Sequence, residues 1–131
     1  PLRLMLLAEA HGAAGLFNEG LQHVAEATDV MAQTQERWIE AETHRIRGEL
    51  LRKVGDEVAA QNSFGCGLAV AQRQRAKLWE LRTVLSLSRL WRDQGKRAEA
   101  CDLLGPIYHW FTEGFDAPDL KDAKALLNEL T

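Results

Sequence analysis

The sequence predicts an all-α superhelix of three helical hairpins with a 40-residue period, closed by one further helix. Three observations predict it. Ala, Leu, Glu, Gln and Arg dominate the 131 residues, and almost nothing reads as strand. Glycine interrupts the helical patterns at Gly15, Gly55 and Gly95, at intervals of 40. The chain also matches itself at that offset. Glu40 falls on Glu80, Thr43 on Thr83, Leu50 on Leu90, Arg52 on Arg92, Gly55 on Gly95 and Ala60 on Ala100. The first copy is more diverged, with Glu9 on Glu49 and Gly15 on Gly55.

The elements follow in order. Leu4, Leu7 and Ala8 leading to His11 place a helix over 2–14, and 17–35 completes the first hairpin, 2–35. Leu50, Leu51 and Val54 mark a helix over 37–54, and 57–74 completes the second, 37–74. Val84, Leu87, Leu90 and Trp91 mark 77–94, and 97–113 completes the third, 77–113. Pro106 removes a backbone donor within that last helix, so a kink or short break is expected near it. A capping helix over 118–130 starts at Pro118, with Asp116 and Asp119 placing negative charge at its N-terminus.

Composition bounds the rest. Hydrophobic residues make up 46% and charged residues 27%, an ordinary globular balance for one domain spanning 1–131. The chain opens on Pro1 without a start methionine or leader, which reads as a piece of a longer protein. No apolar run approaches the roughly 20 residues that span a bilayer. Cys66 and Cys101 form no framework and no zinc spacing, and read as reduced, packed thiols of a cytoplasmic protein. The net charge of −3 is unevenly spread. Residues 1–40 hold two basic and six acidic side chains, 41–100 twelve and seven, and 101–131 two and six. A basic middle lies between acidic flanks.

The repeat units resemble the tetratricopeptide (TPR) family. The third copy carries Val84, Leu87, Ser88, Trp91, Gly95, Ala100, Leu104 and Ile107 at the family's packing positions. The second carries Gly48, Leu51, Gly55, Ala60, Phe64 and Gly67, with Arg47 where leucine is usual. The first carries Leu4, Leu7, Ala8, His11, Gly15, Val24 and Ala27, with Gly20 in place of alanine. The run Ser88–Gly95, followed by Trp110–Asp116 and Pro118-Asp119-Leu120, is similar to the C-terminal end of a bacterial signalling family. Its members join a predicted ATPase module to a TPR tail, and many carry a class III adenylate cyclase or a DNA-binding domain at the N-terminus. The resemblance implies a fragment that docks or transmits while catalysis lies upstream.

No chemistry-bearing constellation competes with this reading. His11, His23, His44 and His109 show neither HxxxH nor HExxH spacing, so no catalytic or metal site is expected. Ser86 and Ser88 have no nucleophile elbow or triad partner. Gly65-Cys66-Gly67 lacks the phosphate-loop frame and reads as tight helix packing, and no cofactor is expected. Trp91 reads as core, and Trp38 and Trp79, one residue out of phase, as packing between hairpins.

The basic residues are the functional candidates. The resemblance implies that the first helix of each hairpin lines a concave groove. Carried over, this places Arg45, Glu49, Arg52, Lys53, Arg82, Arg89 and Arg92 on one surface, with Glu9, Glu42 and Asp93. Met5 and Glu9 stand where the carboxylate clamp of chaperone-binding relatives needs Lys and Asn, so a chaperone tail is not the expected ligand. The expected partner is an acidic peptide or an acidic face of a neighbouring domain of the same chain. Against it stands a solvated face with ion pairs such as Glu49–Lys53. Two rivals remain: nucleic-acid binding by the basic middle, disfavoured by the acidic whole, and homodimerisation through an exposed face of the first hairpin.

Overall fold

The computed structural model describes residues 7–10, 17–34 and 39–131, the side chains of 28–34 excepted. It is all-helical, as the sequence predicts. Residues 7–10 are helical and precede α1 (Phe17–Thr34), α2 (Glu40–Lys53), α3 (Glu57–Arg73), α4 (Lys77–Asp93), α5 (Arg97–Trp110) and α6 (Pro118–Leu130). The expectations resting on Leu4, Met5, His11, Gly15 and Trp38 fall outside the described residues.

Each helix packs on the next in sequence. In addition α2 touches α4, and α4 touches α6, whereas α3 and α5 do not meet. Alternate helices therefore form an inner row of α2, α4 and α6, and the stack bends toward that row.

The stops between helices are local and repeated. Asp56 N–H donates to the Leu51 carbonyl at 2.9 Å and Gly55 N–H to Arg52 at 3.1 Å. Ala76 and Arg75 repeat this on Ala71 and Gln72, and Lys96 and Gly95 on Trp91 and Arg92. These are three Schellman closures with a left-handed residue at φ +94 (Gly55), 55 (Arg75) and 80 (Gly95). Glycine adopts that conformation freely, whereas an L-residue such as Arg75 is strained by roughly 1–2 kcal/mol. The 40-residue period is thus two equal steps of 20, and the middle stop carries no glycine to announce it.

Of the kink or short break expected near Pro106, no break occurs: the helix runs through it and ends at Trp110, short of the expected 113. The missing donor would have bonded the Asp102 carbonyl, and Asp102 is exposed, so water can take that place. The residue before it, Gly105, has no Cβ to clash with the proline ring.

Small residues set the helix spacing. A Cβ on Gly48 would lie 2.5 Å from the fully buried Phe64 ring. One on Gly67 would lie 3.0 Å from the Ala41 carbonyl and 3.1 Å from His44 Cβ. The two contacts clamp α2 against α3 from opposite sides. Above this pair, Ala60, Phe64, Leu87 and Leu90 join α3 to α4, and Leu81, Leu104, Ile107, Leu120 and Leu126 join α4, α5 and α6. Below it, Ala8, Val24, Ile39, Ile46 and Leu50 join the first turn, α1 and α2. Thr43 Oγ1 donates to Ile39 O at 3.1 Å and Thr83 Oγ1 to Trp79 O at 3.0 Å. The position equivalent to Trp79 is therefore Ile39. Trp79 packs against Ala41, Val70 and Ala71 of the preceding hairpin. Trp91 is half-buried, and its Nε1 donates to Gln61 at 3.3 Å. Cys66 is exposed, which corrects its reading as a packed thiol; its face of α3 points outward, as does Gly65.

The two glycines flanking Cys66 in sequence and Gly48 across the pair separate packing from propensity. Gly48→Ala is expected to destabilise the chain by about 1–3 kcal/mol through the Phe64 clash. Gly65→Ala, whose Cβ meets open space, is expected to stabilise it by up to about 1 kcal/mol. Urea unfolding of both variants measures this, and equal signs would sink the packing account.

Candidate functional site: the inner arginine face

The inner row brings the expected basic residues onto one side. In α4 the segment 81–90 is buried except at Arg82 and Arg89, two helical turns apart. Those two side chains leave the core where α4 faces α2 and α6.

Glu42 is the centre of this face. It is 3% exposed. Arg45 grips it with two bonds, Nε to Oε2 at 2.8 Å and Nη2 to Oε1 at 2.5 Å. Arg82 Nη1 reaches Oε1 from α4 at 2.9 Å. A buried carboxylate unaided would be costly, and two guanidiniums compensate it. Burial opposes the charge on Arg45, but the hydrogen bond and field of Glu42, then Glu49 and Glu9, outweigh it and hold the guanidinium above its ordinary range. Arg82 also lies over the Trp79 ring at 5.6 Å and 3.8 Å from Asp119 of α6.

A second chain of pairs runs along the other end of the row. Arg52 of α2 pairs with Asp93, which also accepts from Arg92 Nε at 2.9 Å. Arg92 Nη1 continues to Glu129 of α6 at 3.1 Å. The Arg92 hydrogen bond is the main reason that Asp93 sits below the usual carboxylate range; burial opposes it and the charges of Arg92 and Arg52 add to it. Arg89 lies 3.7 Å from Asp122. The arginines of α4 are therefore each met by an acid of α6, a pairing that the sequence reading did not foresee.

Two of the predicted residues remain open. Lys53 is exposed, and its ammonium sits 5.6 Å from the Phe17 ring centroid. No Glu49–Lys53 ion pair forms among the described residues. Glu49 and Lys53 instead line, with Glu9, Arg45, Ile46, Leu50 and Arg89, a cleft of about 360 Å³. Arg47, the departure from the repeat pattern, turns outward and donates to the buried Ser63 hydroxyl at 3.0 Å. Ser86 and Ser88 are buried, away from any surface where they could react. Among the described residues no group of three His, Cys, Asp or Glu side chains is placed to hold a metal ion. No described helix is long and apolar enough to cross a membrane.

No family model, no curated protein and no solved structure matches this chain.

Glu42→Ala leaves Arg45 and Arg82 without their shared partner, and is expected to cost about 3 kcal/mol in chemical unfolding; a loss under about 1 kcal/mol would show that Glu42 is not the clasp of this face. His44 supplies a pH dependence. Burial holds its imidazole below the ordinary 6.5, with Glu40 opposing and Arg47 adding to the shift. The unfolded chain thus takes a proton at this residue before the folded chain does. The stability involved is complete above pH 6.5 and declines as the pH falls from there toward the folded value. Thermal melts on either side of pH 6.5 should show that decline, and His44→Gln should flatten it.

Proposed function

We propose that this chain is a protein–protein interaction module of the TPR type, a regulatory scaffold in a cytoplasmic, multidomain bacterial signalling ATPase or adenylate cyclase and non-catalytic by itself. The observation that carries the reading is the stacking of α2, α4 and α6, which gathers Arg45, Arg52, Lys53, Arg82, Arg89 and Arg92 along one face. A face of this kind suits an extended or helical acidic segment.

The C-terminal helix illustrates the chemistry. It lays Asp119, Asp122 and Glu129 against Arg82, Arg89 and Arg92 while burying Leu120, Ala123, Leu126 and Leu130. An amphipathic acidic helix is therefore a ligand that these arginines already hold within the chain. The open part of the face, around Lys53 and Glu49, is where a partner segment would continue the pattern. Because most of the arginines are neutralised by this chain's own carboxylates, a polyanion such as nucleic acid finds little excess positive charge there.

Lys53 tests the reading without disturbing the ion-pair ladder. Fluorescence anisotropy with labelled acidic amphipathic peptides, and with neutral peptides of equal length as controls, should show salt-sensitive binding of the acidic set. Lys53→Glu should weaken it by about tenfold. Equal binding of acidic and neutral peptides, or indifference to Lys53→Glu, would remove the acidic segment as the ligand.

A further inference from the structure

Arg75 stands apart from the other arginines. Among the described residues it alone has a guanidinium with neither an ion pair nor a hydrogen bond within the chain. It also occupies the left-handed stop that Gly55 and Gly95 fill elsewhere, at φ 55. Strain of this kind points to a side chain kept for what it does.

Its surroundings show what that is. Arg75 lines a cleft of about 580 Å³ with Gln72, Lys77, Glu80 and Trp110, where the ends of α3, α4 and α5 converge. Trp110 is 56% exposed, unusual for the largest apolar side chain. Lys77 sits 5.4 Å from its ring centroid and 3.5 Å from Glu80, so Arg75 leaves the cleft with an unbalanced positive charge. The cleft offers one aromatic face and one free cation.

The complement lies a few residues further along the same chain. The turn after α5 is closed by Ala117 N–H on the Gly114 carbonyl at 2.9 Å, with Gly114 at φ +77. It presents Phe115, 44% exposed and tilted against Tyr108 at 5.8 Å. Glu113 and Asp116 lie on either side of Phe115 in sequence, exposed and without an ion pair among the described residues. A turn that carries an exposed aromatic ring and two unpaired carboxylates suits an arginine–tryptophan cleft.

We propose that this edge is a self-complementary docking surface: two copies of the chain associate about a two-fold axis, the Phe115–Asp116 turn of each entering the Arg75–Trp110 cleft of the other. A two-fold contact requires both halves of the complement on one patch, and here they follow each other in sequence. The patch is small, so the dimer is weak and depends on concentration. It does not involve the inner face, and stands or falls independently of the ligand proposed there.

Sedimentation velocity of the chain over a concentration series is the test. At about 0.05 M salt the weight-average sedimentation coefficient should rise with concentration, and at about 0.5 M it should not. Arg75→Glu and Asp116→Arg should each weaken association by about tenfold, and the double variant should recover it. Arg75→Gly suits the left-handed backbone, so it should melt no lower than the parent and still lose the dimer. Lys53→Glu should leave association unchanged. A monomer at every concentration overturns the proposal. So does a dimer indifferent to Arg75→Gly and Trp110→Ala, one lost with Lys53→Glu, or a double variant that stays weak.

Discussion

The close approach of α2 and α3 is the constraint on which the other contacts rest. Gly48 admits the Phe64 ring and Gly67 admits the Ala41 carbonyl, so the two axes are fixed from both sides. With α3 held there, Phe64 and Ala60 reach Leu87 and Leu90 of α4 and set its height above α2. That height decides whether Arg82 can reach Glu42. Packing at one helix pair thus determines electrostatics at another.

The inner face then reads as a ladder rather than an open basic groove. Glu42 joins α2 to α4 through Arg82, and Arg82 joins α4 to α6 through Asp119. Asp93 and Glu129 repeat the arrangement at the other end. Exposed ion pairs singly contribute little, but within each chain these share partners, and the first chain is anchored on the buried Glu42 carboxylate. The ladder adds directional contacts between α2, α4 and α6 to a stack that is otherwise held by apolar packing.

How legible this was depends on the range of each signal. The stops at Gly55 and Gly95 and the start at Pro118 are written in local backbone chemistry, and they stand where the sequence puts them. The stop at Arg75 is made by the same hydrogen bonds but by a residue type that gives no sign of it. That the helix continues unbroken through Pro106 was not legible, because it depends on whether the orphaned Asp102 carbonyl meets water, which is a matter of burial. A shared face for the arginines was expected only from the resemblance to the repeat family. Their acidic partners on α6 were not foreseen, since α6 meets α4 only through tertiary packing. Likewise the exposure of Cys66 and Trp110 depends on which helices cover α3 and α5.

The evenly spaced helix stops have a kinetic consequence. Every described packing contact joins a helix to its neighbour or its next neighbour, so no contact closes a loop much longer than one repeat period of about forty residues. The entropy of loop closure stays small at each step, and the chain can assemble by adding one helix at a time to whichever pair forms first. The pair best placed to begin is α2 with α3, because its clamp needs only a tight turn at Gly55 to form. Order then spreads outward in both directions, and it is lost from the ends inward.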